Sequence, residues 1–140
     1  MKRKYKMQTT FKIHHIGYVT NNIDETANEW LYLGYTKGPK ILDTIQNTYI
    51  SLLYKENSPS IELVEPVDDH SSVNKILKKV GVSPYHICYE VPNINDTYKE
   101  MIVNGYIPLF RPVEAIAFNN KLISYLYKKE VGYIELINAN

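Results

Sequence analysis

The chain has 140 residues, 44% of them hydrophobic and 22% charged, an ordinary composition for one globular domain with its own core. A net charge of +1 leaves no electrostatic footprint for nucleic acid or an anionic membrane. A single cysteine, Cys88, excludes an internal disulfide, and no apolar run approaches the ~20 residues of a membrane span.

Residues 1–10 hold the one basic cluster, Lys2, Arg3, Lys4 and Lys6, and lack the apolar segment of a secretory signal. A flexible tail on a cytoplasmic protein is expected. Residues 12–19, rich in Ile, Val and Tyr with rough alternation, predict a strand. Asn22 then starts a helix that runs to about Leu33, and Gly34 stands where a left-handed C-cap is wanted. Three strands follow, at about 36–42, 47–54 and 60–65, the last two joined by the turn Asn57-Ser58-Pro59. Val73, Ile76, Leu77 and Val80 are at helical spacing, so 71–79 is expected to be a linker helix. The same order then returns. A strand at 84–91 precedes a helix from Asn93 to Asn104, Gly105, and strands at about 107–112, 121–127 and 132–137. Trp30 and Met101 hold equivalent helical positions and are expected to pack in the core.

The return is a duplication. His15, Ile16 and Tyr18 match His86, Ile87 and Tyr89 at an offset of 86 − 15 = 71, as do Asn22 with Asn93 and Gly34-Tyr35 with Gly105-Tyr106. Leu53-Tyr54-Lys55 and Ile61-Glu62-Leu63 match Leu126-Tyr127-Lys128 and Ile134-Glu135-Leu136 at 135 − 62 = 73. A two-residue insertion near 110–120 accounts for the change. Two copies are too few for a solenoid but suit a pseudo-twofold domain with one site between its halves. The expected organisation is a tail at 1–10 and one domain at 11–138, made of module one (11–66), a linker helix (67–82) and module two (83–138).

The duplication makes a set of four polar residues. His15 and His86 lie at equivalent points of the first strand of each half, and Glu62 and Glu135 at equivalent points of the last. Any one alone reads most simply as a strand residue facing solvent. Together, two imidazoles and two carboxylates among apolar neighbours read as ligands of one divalent ion, Zn, Ni, Co or Mn. An octahedral ion would keep two positions for water or substrate oxygens. His14 is expected on the opposite face of the strand, and His70 exposed in the linker.

The segments His14-His15-Ile16-Gly17, Ile61-Glu62-Leu63-Val64-Glu65-Pro66, Tyr85-His86-Ile87-Cys88-Tyr89-Glu90-Val91 and Gly132-Tyr133-Ile134-Glu135-Leu136 resemble the vicinal oxygen chelate superfamily. That superfamily includes glyoxalase I, methylmalonyl-CoA epimerase, ring-cleaving dioxygenases and fosfomycin-resistance proteins. The resemblance covers about 11–138 and is strongest to the epimerase-like branch. It implies an α+β fold of two tandem βαβββ modules forming an open, cupped mixed sheet, commonly a homodimer. It maps the metal ligands onto His15, Glu62, His86 and Glu135. Two departures argue against methylmalonyl-CoA itself: residues 46–51 carry no base carboxylate, and a Gly-rich loop of many relatives is replaced by 115–120.

The resemblance implies proton transfer next to a carbonyl or thioester, either epimerase-like or lactoylglutathione lyase-like, on a small-molecule substrate. The base is then Glu62 or Glu135, or an outer acid such as Asp43 or Glu114, both of which read otherwise as ordinary surface acids. The alternative is a non-catalytic protein of the same fold that binds or sequesters a small ligand, its 13 tyrosines lining an aromatic pocket. Oxygen chemistry on Fe(II) ranks last, because a fourth protein ligand fills a position it needs open.

Overall fold

In the computed structural model, which describes residues 10–139, each half of the chain begins with a strand that feeds a capped helix. Strand β1 (Lys12–Val19) leads to α1 (Ile23–Tyr32), and β5 (Ser83–Val91) leads to α3 (Ile94–Val103). The Asn22 side chain accepts from the Glu25 N–H at 3.0 Å, and Asn93 accepts from the Asp96 N–H at 3.1 Å. Each bond satisfies one of the orphan donors of a helix N-terminus. A second orphan, the Ile23 N–H, is taken by Glu65 at 2.7 Å, and that of Ile94 by Asn138 at 2.9 Å. Both helices end at a glycine with positive φ, 95° at Gly34 and 92° at Gly105. Lys55 and Lys128 donate to the carbonyls of Leu33 and Asn104, where the helix dipole favours a cation. Apart from Thr10, the predicted tail lies outside the described residues.

The other strands are β2 (Thr36–Asp43), β3 (Thr48–Tyr54), β4 (Ser60–Pro66), β6 (Ile107–Pro108), β7 (Val113–Ala115), β8 (Lys121–Lys128) and β9 (Gly132–Asn138), with α2 (Asn74–Val80) joining the halves. They form one open sheet in the order β2-β3-β4-β1-β5-β9-β8-β6, with β7 also on β8. Each half therefore runs outward from its first strand to its last and then to its penultimate one. β1 is parallel to β4 and β5 to β9, while β1 and β5 meet antiparallel at the pseudo-twofold. This is the expected α+β arrangement of two strand–helix–strand units in a mixed sheet. α1 packs Ile23 and Ala27 on Leu53, Ile61 and Leu63, and α3 packs Ile94 and Met101 on Leu126 and Leu136. Trp30 packs at the edge of the first cluster, so both matched helical residues are packing residues.

Two elements differ from expectation. The strand at 107–112 is broken: β6 stops at Pro108, and the chain re-pairs only at β7, before a 3-10 turn at Ile116–Phe118. Pro108 and Pro112 have no N–H to give a ladder. The linker helix begins at Asn74 rather than Ser71. The Ser71 hydroxyl is committed to the Val67 N–H and the Asn47 carbonyl, which ties the loop to the β2–β3 turn before the helix can start.

Candidate metal centre

The four central strands, β4-β1-β5-β9, set two rows of residues across the pseudo-twofold. One row reads Glu62, Gly17, His86, Tyr133, and the other reads Ser60, His15, Cys88, Glu135. In each row a single small residue, Gly17 or Cys88, separates a glutamate from a histidine. Adjacent strands lie ~4.8 Å apart, so only a small residue there lets the flanking side chains lean together. The demand is strictest at Gly17, where a Cβ would stand 2.1–2.6 Å from three atoms of the His86 ring. Gly17 thus belongs to the site, although the sequence by itself gives it no role. The duplication, which pairs it with Cys88, carried the signal.

The four polar side chains meet. His15 Nε2 is 3.2 Å from His86 Nε2, and Glu135 Oε1 is 2.8 Å from the first and 2.9 Å from the second. Glu62 Oε1 stands 3.3 Å from His86 Nε2 and 3.5 Å from His15 Nε2. Donor atoms about 2.1 Å from one ion lie about 3.0 Å apart at octahedral right angles and about 3.4 Å apart in a tetrahedron. All four residues are at most 3% exposed. Glu62 Oε1 is buried without a hydrogen bond, an arrangement that a cation would satisfy. The set therefore fits a divalent ion held by two imidazoles and two carboxylates.

The protons follow the same geometry. Burial alone would lower the His15 pKa, but Glu62, Cys88 and Glu135 together hold it well above the usual imidazole value. Burial opposes the charge on His86 in the same way and is outweighed by Glu135 and Glu62. Burial would raise both glutamates, yet His15 first, then His86, keep Glu62 and Glu135 below the usual carboxylate range. In metal-free protein the imidazoles' share of stability is therefore complete below their ordinary pKa of 6.5 and is lost as pH rises through the raised value. The carboxylates' share is complete above 4.5 and is lost as pH falls through the lowered value. Chelator-treated protein should melt at a higher temperature at about pH 5.5 than at about pH 8.5, and metal-loaded protein should reverse that order because ion and protons compete. Identical pH profiles with and without metal would sink this assignment of charge.

The residues beside the two histidines are bulged. The β1–β5 register slips at His14, between Ile13 and His15, and again at Tyr85, opposite the Gly17–Tyr18 step. A bulge re-aims the extra side chain. His14, expected on the opposite face, instead brings its Nδ1 to 2.8 Å from His15 Nδ1, its ring set edge-on at 5.1 Å. Tyr85 stands edge-on to His86 at 4.4 Å, and Tyr125 meets the same ring at 5.2 Å. Burial, with the charges of Glu62 and Glu135, pushes both phenols well above their ordinary pKa. A cavity of about 670 Å³ opens beyond the tyrosines, walled also by Val73, Ile76, Leu109 and Phe110.

The outer acids separate. Asp43 is not a surface acid: it is 6% exposed, and its carboxylate accepts from the Ile45 and Gln46 N–H groups and from the Gln46 amide. It is committed to the β2–β3 turn. Glu114 is exposed on β7, as is His70 in the linker, although His70 also reaches the rim of the cavity.

The profile of the glyoxalase/bleomycin resistance protein/dioxygenase superfamily matches residues 14–125. The mitochondrial methylmalonyl-CoA epimerase of Dictyostelium discoideum is 22% identical over 122 residues, 86% of this chain and 73% of that protein. Among solved structures, the methylmalonyl-CoA epimerase of Mycobacterium tuberculosis superposes with a TM-score of 0.82 at 22% identity, covering 97% of this chain and 94% of that one. A variant of the Streptomyces coelicolor epimerase in complex with 2-nitronate-propionyl-CoA gives 0.83 at 20% identity, over 93% and 98%. At these identities the superpositions establish the shared fold. No helix among the described residues is long and apolar enough to cross a membrane.

Proposed function

The chain belongs to the glyoxalase/bleomycin resistance protein/dioxygenase superfamily, and from that premise we propose that it is a metal-dependent enzyme of proton transfer next to a carbonyl or thioester. The observation that carries the proposal is the convergence of four buried donor atoms, one of them, Glu62 Oε1, without a hydrogen bond. His15, Glu62, His86 and Glu135 would hold the ion. A divalent ion there would polarise two neighbouring substrate oxygens and stabilise the enolate left when an α-proton departs.

Of the carboxylates, Glu62 is the base that the geometry favours. Glu135 is gripped at 2.8 and 2.9 Å by both imidazoles, whereas Glu62 stands off at 3.3 and 3.5 Å. The longer contacts make Glu62 the carboxylate that would swing off and take a proton. Asp43 spends its oxygens on the β2–β3 turn, and β3 itself carries no acid. The named relatives act on methylmalonyl-CoA, so a 2-substituted acyl thioester is the first substrate class to test.

The test is proton exchange in deuterated water with protein reconstituted in Co, Ni, Mn or Zn. Methylmalonyl-CoA and the hemithioacetal of methylglyoxal with glutathione serve as probes, and deuterium uptake at the α-carbon is read by mass spectrometry. Exchange is expected only with metal, and Glu62→Gln should slow it by about a hundredfold or more. Full exchange by chelator-treated protein would end the proposal. That no carboxylate lies among the described residues of the cavity wall favours a second reading, a protein that binds and sequesters its ligand. Stoichiometric binding of either probe without exchange would establish it.

A further inference from the structure

The pseudo-twofold gives the centre two flanks that are equivalent in backbone and different in chemistry. His14 corresponds to Tyr85 (85 − 14 = 71), and Leu52 corresponds to Tyr125 (125 − 52 = 73). On the first flank His14 and Leu52 border a hollow of about 200 Å³, and Phe118 lies flat on the His15 ring at 5.2 Å with 7° between the planes. On that flank Phe118 covers the His15 ring and also lines the hollow. On the second flank the bulge re-aims Tyr85, and Tyr85 and Tyr125 both rest on the His86 ring and both line the 670 Å³ cavity.

None of His15, Glu62, His86 and Glu135 contributes to the wall of that cavity. Tyr85 and Tyr125 touch both sides, with their rings on His86 and their remaining surface in the cavity. They are the partition between the space a ligand can occupy and the four buried donors. Phenylalanine would pack on His86 equally well, and burying a hydroxyl costs free energy unless it is bonded. Each phenol brings one O–H donor to the cavity wall, which phenylalanine would lack.

We propose that Tyr85 and Tyr125 are the substrate-contacting donors of this centre: a ligand in the 670 Å³ cavity reaches the four-residue cluster past their hydroxyls, which bond one of two adjacent oxygens it carries. The inference rests on the proposed function and deepens it by naming what meets the substrate. It also narrows the ligand. The cavity wall is largely aliphatic and aromatic, its rim holds Lys75 and His70, and no carboxylate lies among its described residues. The fitting class is a neutral or anionic small molecule with an oxygen pair at one end and an apolar body. A cationic ligand would meet no carboxylate among the described residues of that wall.

The experiment uses oxalate, an unreactive pair of adjacent oxygens, titrated calorimetrically into Co(II)-loaded wild type, Tyr85→Phe, Tyr125→Phe and the double variant. Metal affinity is measured alongside by chelator competition. The expected result is Co(II) affinity within about twofold of wild type throughout, with oxalate affinity reduced about tenfold in each single variant and further in the double. The Co(II) absorption spectrum of wild type should also change on adding oxalate. Equal oxalate affinity in wild type and variants would overturn the inference and leave the proposed function standing. Parallel loss of Co(II) would make the tyrosines supports of His86 and overturn it as well. Wild type that binds Co(II) but no oxalate would overturn this inference alone, and wild type that takes up no Co(II) would defeat the proposed function and this inference with it.

Discussion

Protein purified without chelator should carry close to one equivalent of a divalent transition metal, and the His86→Ala, Glu135→Ala double variant should carry none. The quartet offers two donors from each half of the chain, and the double variant removes both from the second. Complete four-ligand sites bind zinc with about 10–16 kcal/mol at neutral pH, so two ligands account for about 5 kcal/mol or more, roughly 10⁴-fold in affinity. The double variant is preferable to either single one. Removing Glu135 alone leaves two imidazoles held above their ordinary pKa beside one carboxylate, and an uncompensated buried charge costs about 3–5 kcal/mol. The paired deletion takes out one imidazole and one carboxylate, so charge stays balanced and the fold has the better chance of surviving. Elemental analysis of both proteins, with circular dichroism as the folding check, decides the matter. A folded wild type that neither carries metal nor takes up Ni, Co, Mn or Zn would reduce the quartet to a buried ion-pair cluster. The fold would then serve ligand binding alone.

The duplication made most of this legible beforehand. Asn22 and Asn93, Gly34 and Gly105, and Lys55 and Lys128 occupy matched positions because each caps one end of a matched helix. Short-range chemistry of that kind is written locally and can be read locally. His15, Glu62, His86 and Glu135 were found the same way, since symmetry turned four unremarkable strand residues into one set. What escaped was set by register between strands. Simple alternation puts His14 on the face opposite His15, and alternation fails at a bulge, which depends on the partner strand. Asp43 looked like a surface acid because nothing in Asp43-Thr44-Ile45-Gln46 says which carboxylate oxygen the turn will claim. The strand expected at 107–112 ran through two prolines whose missing N–H groups should have counted against it. Gly17 needed both kinds of information: its pairing with Cys88 was visible, but its contact with His86 exists only once β1 and β5 are aligned.

That contact makes Gly17→Ala the sharpest single substitution available in the centre. An added Cβ would sit 2.1 Å from Cε1, 2.4 Å from Nδ1 and 2.6 Å from Nε2 of His86. The ring cannot simply step aside, because Tyr85 is edge-on to it at 4.4 Å and Tyr125 at 5.2 Å. Two responses are open, and both damage the site. If the ring holds its place, the overpacking strains the β1–β5 seam by about 1–3 kcal/mol. If it turns away, Nε2 leaves the other donors, which now stand 2.9–3.3 Å from it. Orientation errors of that size in supporting shells cost about 10–100-fold in metal affinity, and loss of the ligand itself costs more. The symmetry supplies the control. Cys88 is the counterpart of Gly17 and already carries a Cβ beside His15, so Cys88→Ala adds no atom and should keep its metal. Chelator competition and thermal melts on the two variants separate the outcomes. Metal loss in Gly17→Ala with a near-normal melt means the ring has turned, and metal retention with a depressed melt means it has held under strain. Wild-type affinity and stability together in Gly17→Ala would mean that His86 has room the packing denies, and would remove the reason for a glycine between Glu62 and His86.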